Sequence, residues 1–111
     1  LEAAKQCKRD IVPKINDVIN FDKMLNMLSN EKNIIVPYED EKNLSIKEIL
    51  KDCNRNTISL IIGPEGGFET EEIRRLKKID ANIVTLGPRI LRSETAGMVA
   101  LSIILYEFGD L

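Results

Sequence analysis

The 111-residue chain has no histidine, no tryptophan and only two cysteines, Cys7 and Cys53. Without histidine, neither a Ser-His nor a Cys-His nucleophile pair can be assembled. The two cysteines lack the short spacing of metal ligands, which argues against a structural zinc site. They suit reduced thiols of a cytoplasmic protein, with a disulfide as the alternative. A basic excess is also missing: 16 Lys and Arg stand against 18 Asp and Glu, for a net charge of −2. Free-standing nucleic-acid binders usually carry such an excess. Any RNA affinity must therefore come from a local patch, a second domain or a partner subunit. No apolar run approaches the roughly 20 residues of a membrane span. Leu1 to Arg9 has scattered charges and no apolar core, unlike a signal peptide. Since there is no initiator Met, we expect the natural protein to begin upstream.

What is present is ordinary for a globular domain. Apolar residues make up 43% and charged residues 31%, enough to build one real core. Leu1 to Lys8 reads as the tail of a helix, and Ile11-Val12-Pro13-Lys14-Ile15 as an extended edge broken by proline. Asn20 can cap a helix over Phe21 to Leu28, where Phe21, Met24, Leu25 and Leu28 recur at spacings of three and four. Ile34-Ile35-Val36 is a strand ending at Pro37. Ser45 with Glu48 forms a capping-box pattern ahead of Ile46, Ile49 and Leu50. Ile58 to Ile62 is a nearly continuous apolar run, as expected for a strand covered on both faces. Thr70 can cap the next helix, whose first turn is acidic and whose last turns carry Arg74, Arg75, Lys77 and Lys78. Ile83 to Leu86 is a further strand, and a last helix runs from about Ser93 to Phe108. Strands alternating with helices imply an α/β fold with a mainly parallel sheet, here one domain over residues 1–111. The last helix is apolar around almost its whole circumference, so burial on more than one side is expected. Burial between the sheet and a second subunit is one solution; a central position in a larger chain is the other.

Two loops carry the chemistry. The first is Gly63-Pro64-Glu65-Gly66-Gly67-Phe68, directly after an apolar run. In open α/β sheets, ligands bind at the carboxyl ends of strands. Glycines there let the backbone approach a ligand, and Glu65 brings a carboxylate to the rim. A tight strand-to-helix turn without a ligand fits the same spacing. The loop is neither a Walker A sequence nor a dinucleotide fingerprint. The second loop is Leu86-Gly87-Pro88-Arg89-Ile90-Leu91-Arg92-Ser93-Glu94-Thr95-Ala96. It repeats the strand-Gly-Pro pattern, adds two arginines and opens a helix, whose free amides suit an anion or carboxylate. Arg89 and Arg92 can hold phosphates bidentately, or pair with Glu65 or Glu94 in a structural network. Gly97 inside a helix costs stability relative to Ala, which suggests that backbone or ligand passes close by.

Taken in order, Ile62 to Phe68 and Leu86 to Ala96 closely resemble the ribosomal RNA small subunit methyltransferase E family. Gln6, Arg9, Val12 and Pro13 are similar to that family's glutamine-x-x-arginine-x-x-valine-proline segment. Tyr38-Glu39 followed by Glu41 resembles its tyrosine-acid segment, and Phe108 to Leu111 its terminus. The resemblance implies a SPOUT-type fold with a deep C-terminal trefoil knot, an exception to the usual absence of knots. It implies S-adenosylmethionine bound in that knot, a homodimer through the C-terminal helix, a cytoplasmic location, and methylation of N3 of one uridine in 16S ribosomal RNA. Carried over by motif, the cofactor pocket would take Gly63, Glu65, Gly66, Leu86, Gly87, Ile90, Leu91 and Thr95. Arg9, Arg89 and Arg92 would meet RNA. Family members also carry an N-terminal barrel resembling a PUA domain, followed by a first strand and helix. This chain begins at about the helix before Pro13.

Methylation of uracil N3 needs no metal, but the N3 proton must leave. Glu65 or Glu94 is the expected base, and Arg92 the expected stabiliser of the uracil anion. Two other readings stand beside this one. A SPOUT enzyme acting on a ribose hydroxyl or on transfer RNA is opposed by the Ile90 to Ala96 run. A non-catalytic dimerisation or ligand-binding module is compatible with an incomplete enzyme domain.

Overall fold

The structure, a computed structural model, describes residues 14–52, 57–87 and 92–108. In chain order its elements are α1 (Phe21–Leu28), β1 (Ile34–Pro37), α2 (Ile46–Asp52), β2 (Ser59–Leu60), α3 (Thr70–Lys78), β3 (Asn82–Val84) and α4 (Ser93–Glu107). The three strands pair in the order β2-β1-β3, and both pairings are parallel. Ile34 lies opposite Ser59, and Val36 opposite Ile83. The α/β class with a parallel sheet is thus as the alternation of signals implied.

The β-branched run Ile34-Ile35-Val36 takes the central place and is fully buried. Side chains alternate across a strand, so its neighbours separate into two cores. Ile34 and Val36 pack with Leu25 of α1 and with Ile73 and Leu76 of α3. Ile35 packs on the other face with Ile46 and Leu50 of α2 and with Ala100 and Ile104 of α4. The result is a three-layer sandwich with two helices on each side of the sheet. Burial of each such side chain contributes roughly 1.5–3 kcal/mol. An eight-residue helix such as α1 is too short to persist alone. Its Asn20 cap accepts from the Lys23 amide at 2.8 Å, and its apolar side is held by the core. Arg75 of α3 adds an ion pair to Asp22 and lies 5.3 Å from the Phe21 ring centroid.

Several local expectations need correction. The Ile58–Ile62 run is not a strand covered on both faces. Only Ser59 and Leu60 form the ladder, both are half-buried, and the strand is an edge among the described residues. Thr70 is not the cap of α3. Glu69 occupies that position, and its amide donates to the Glu72 carboxylate at 2.8 Å. Lys14 and Ile15 lie in irregular backbone, not in a strand. The remainder of that expected edge, Cys7, Cys53 and the Gln6 to Pro13 segment fall outside the described residues. The Ser45 half of the expected capping box is present: its hydroxyl accepts from the Glu48 amide at 3.3 Å. At the end of α3, Asp80 takes a left-handed conformation (φ 63°), and the Ala81 amide reaches the Leu76 carbonyl at 3.1 Å. That bond satisfies a carbonyl the helix would otherwise leave open.

Within the single chain, α4 is buried on one side only. Ala100 and Ile104 face the core, while Met98 (71% exposed), Leu101 (50%) and Tyr106 (70%) face outward. No helix among the described residues is long and apolar enough to cross a membrane.

Candidate functional site

The carboxyl ends of all three parallel strands open into one cleft of about 330 Å³. Three loops and one helix wall it. Pro37 ends β1, and Tyr38 to Asp40, with Lys42, follow it; Ile62 to Phe68 follow β2; Thr85 to Gly87 follow β3; Ser93 and Ala96 come from α4. A parallel sheet points every strand's carboxyl end the same way, so the three loops meet by topology rather than by sequence proximity.

The first glycine loop is shaped by packing. A Cβ built on Gly63 would lie 3.0 Å from two carbons of the Phe68 ring, and Phe68 itself packs against the Leu25–Leu76 core. Gly63 therefore lets the aromatic ring fold back across the loop. The turn closes where the Gly67 amide donates to the Pro64 carbonyl at 2.8 Å, with Gly67 at φ +79°. No described atom comes within 4 Å of a Cβ placed on Gly66, so its backbone is open to a ligand.

The third loop is shaped by backbone conformation. Gly87 sits at φ +128°, a region side chains rarely adopt. The Thr85 hydroxyl donates to the Gly87 carbonyl and accepts from the Gly87 amide, both at 3.1 Å. Thr85 is anchored in turn, its amide donating to the Leu44 carbonyl at 2.8 Å.

The β1 loop supplies most of the charge. Glu39, Asp40 and Lys42 line the cleft together with Glu65. Behind them, the Glu41 carboxylate accepts from the amides of Leu44 and Asn43, both at 3.0 Å. These two donors, the Leu44 amide first, hold its pKa below the ordinary 4.5, with a smaller contribution from Lys77. Tyr38 is shifted the other way. Burial first, then the Asp40 charge and a hydrogen bond to Asp40, raise its pKa above 10.0, against a smaller opposing bond from Thr70.

Of the residues expected from sequence, Gly63, Glu65, Gly66, Leu86 and Gly87 line the cleft. Thr95 does not, although Ser93 and Ala96 do. Residues three apart share a helix face, and Thr95 turns away from it. Arg92 is the exposed N-cap of α4, and Glu94 is exposed in its first turn; neither lines the cleft. Arg9, Arg89, Ile90 and Leu91 lie outside the described residues. The close passage expected at Gly97 is mild: a Cβ there would meet Ile62 Cγ1 at 3.7 Å, an ordinary contact. Missed as site residues were Tyr38, Glu39, Asp40, Lys42 and Phe68. Their one available signal was position, immediately after a strand or inside the glycine loop.

A three-layer parallel α/β domain with glycine loops converging at the strand ends defines a small-molecule-binding domain of the open-sheet kind. The family described as RNA methyltransferase domain matches residues 1–105, and the chain belongs to that family. The more particular resemblance is borne out as well. The chain is 42% identical over 102 residues to the ribosomal RNA small subunit methyltransferase E of Mesomycoplasma hyopneumoniae, covering 92% of this chain and 43% of that protein. It is 37% identical over 111 residues to the protein of the same name from Bacillus subtilis, covering 96% and 43%. Among solved structures, it is similar to a ribosomal RNA small subunit methyltransferase E from Neisseria gonorrhoeae bound to S-adenosyl methionine. The TM-score is 0.75 at 26% identity, over 95% of this chain and 43% of that one. The chain thus spans less than half the length of these relatives.

Proposed function

We propose that this chain is the S-adenosylmethionine-binding part of an enzyme that methylates N3 of one uridine in 16S ribosomal RNA. The observation that carries the reading is the meeting of both glycine loops in one cleft at the carboxyl ends of the sheet. Family membership and the named relatives support it. The residues present fit the cofactor. The cleft volume lies in the range of small-molecule sites, about 300–1,000 Å³. Gly66 offers backbone without a side chain in the way, and Ile62, Leu86 and Ala96 supply apolar wall.

S-adenosylmethionine supplies an electrophilic methyl group on a sulfonium when bound. Gly63, Gly66, Leu86 and Gly87 would hold it through their backbone, with Ile90 and Leu91 completing the pocket as the family resemblance implies. Glu65 would accept the proton from uracil N3, and Arg92 would stabilise the resulting anion. Glu94 is the alternative base; the place of Glu65 in the cleft wall favours Glu65. Alignment of the two reactants can supply on the order of 7–11 kcal/mol. Arg9, Arg89 and Arg92 would contact RNA phosphates in the small ribosomal subunit, in the cytoplasm.

The same reading includes one domain over residues 1–111, a C-terminal trefoil knot, and a PUA-like barrel preceding this domain in the whole protein. It also includes a homodimer through α4. The outward Met98, Leu101 and Tyr106 support that dimer, since an apolar helix face left in water is costly.

Calorimetric titration of the chain with S-adenosylmethionine is the first test, and absence of binding would leave only a structural module. In the whole enzyme, reverse transcription of treated 16S RNA should stop at a single uridine, because N3 methylation blocks the pairing edge. Arg92→Ala should keep cofactor binding and lose most methylation. Normal turnover by that variant would remove Arg92 from the mechanism.

A further inference from the structure

We infer that Thr85 is a positioning residue for the cleft: its hydroxyl holds Gly87 at its positive φ, and so sets the wall after β3 in advance of binding. This rests on the cofactor reading above. Thr85 is the first residue after β3 and lines the cleft beside Leu86 and Gly87. Its backbone is spent on a neighbouring segment. The Thr85 amide donates to the Leu44 carbonyl at 2.8 Å, and the Thr85 carbonyl accepts from the Ile46 amide at 3.2 Å. These bonds make a parallel bridge between Thr85 and Ser45. The segment is fixed in its turn, because the Glu41 carboxylate accepts from the amides of Asn43 and Leu44, both at 3.0 Å. Only the side chain of Thr85 is left to reach forward to Gly87.

That side chain makes two bonds with one hydroxyl. It accepts from the Gly87 amide and donates to the Gly87 carbonyl, both at 3.1 Å. Glycine loses more conformational freedom on ordering than any other residue, and Gly87 sits exposed at φ +128°. It has no side chain of its own to restrain it, so the restraint must come from a partner. A wall already ordered spares the ligand that entropic cost. The two bonds use the Gly87 amide and one of the two lone pairs of its carbonyl. Gly87 would therefore meet a ligand through the remaining lone pair. A valine at position 85 would keep nearly the same shape and the β-branching that suits a strand end, so shape alone does not call for the hydroxyl.

The test compares Thr85→Val, which removes the hydroxyl, with Thr85→Ser, which keeps it. One readout is the dissociation constant for S-adenosylmethionine. The other, without ligand, is amide exchange at Gly87, whose N–H is held by the Thr85 hydroxyl. We expect Thr85→Val to bind the cofactor about three- to tenfold more weakly, the worth of one hydrogen bond. Its Gly87 amide should exchange several-fold faster, while the amide of residue 85, bonded to Leu44, stays as protected as in the parent. Thr85→Ser should restore both readouts to within about a factor of two of the parent, because the same bonds can form. Parent-like Gly87 exchange in Thr85→Val would overturn the inference, and so would parent-like affinity in that variant. A serine variant as impaired as the valine one would also overturn it, since the methyl group and not the hydroxyl would then matter. Loss of protection spread over β3 and residue 85 together would mark a purely structural role and end the proposal as well. If the parent chain binds no S-adenosylmethionine, the functional reading falls, and the exchange at Gly87 still decides whether Thr85 holds this wall.

Discussion

The two glycine walls of the cleft look alike in sequence and are built differently. After β2, Gly63 is needed because the Phe68 ring occupies the space a side chain would take. After β3, nothing described crowds Gly87, and glycine is needed because the backbone sits at φ +128°. One wall is a packing solution and the other a conformational one. The same residue type can thus answer two separate physical demands within one site. Only the first demand can be relieved by changing a neighbour.

The sharpest way to break this comparison is Gly87→Ala. A Cβ at that backbone conformation should cost about 1–3 kcal/mol of stability by chemical denaturation, and no substitution at a contacting side chain should restore it. Gly63→Ala should cost about 1–2 kcal/mol, because Phe68 must shift against a packed core. Here Phe68→Leu should recover much of the loss in a double-mutant cycle. If Phe68→Leu rescued both glycine variants or neither, the distinction between the walls would not stand.

The charged rim sharpens the comparison by pH. Glu41 has a lowered folded pKa, so its stabilising effect is present above the ordinary glutamate value of 4.5 and is lost as pH falls through the lowered value. Glu41→Gln should therefore destabilise the neutral-pH protein by about 1 kcal/mol. The gap from the parent should close progressively below pH 4.5. A gap that is constant with pH would mean that the carboxylate charge is irrelevant to the turn. The smallest expected effect is at Gly97. A Cβ there meets Ile62 Cγ1 at 3.7 Å with no clash, so Gly97→Ala should stabilise α4 by about 0.5–1 kcal/mol. If that variant binds S-adenosylmethionine normally in calorimetry, Gly97 is not a passage for ligand.

Much of the fold was legible because its signals are local. Asn20, Ser45 and the charge gradient along α3 mark helix ends through bonds within one turn. The β-branched Ile34–Val36 run announces a strand by composition alone, and the fold gives it the central place. The glycine loops were legible as loops, and five of the residues expected to form the site, Gly63, Glu65, Gly66, Leu86 and Gly87, do line the cleft. What escaped depends on partners distant in the chain. Ile58 to Ile62 reads as a buried strand, yet it lies at an edge of the described sheet, where burial is set by what stands beside it. Glu69 displaces Thr70 as the cap because Glu72 reaches back to its amide. Tyr38 and the acids after it carry no pattern that distinguishes a cleft wall from any polar turn.

The sequence by itself determined the alternation of strands and helices, the two glycine loops and the family they mark. Each of these follows from residue type, spacing and backbone preference over short stretches. The tertiary structure alone decided that three loops far apart in the chain share one cleft, because only parallel pairing turns all three strand ends to the same side. It also decided which glycine yields to a ring and which to a torsion, since the first depends on Phe68 packed against a core drawn from four other elements. Likewise, only the packed fold shows that α4 buries Ala100 and Ile104 while leaving Met98 and Tyr106 outward, as an apolar sequence does not say which of its faces meets the sheet.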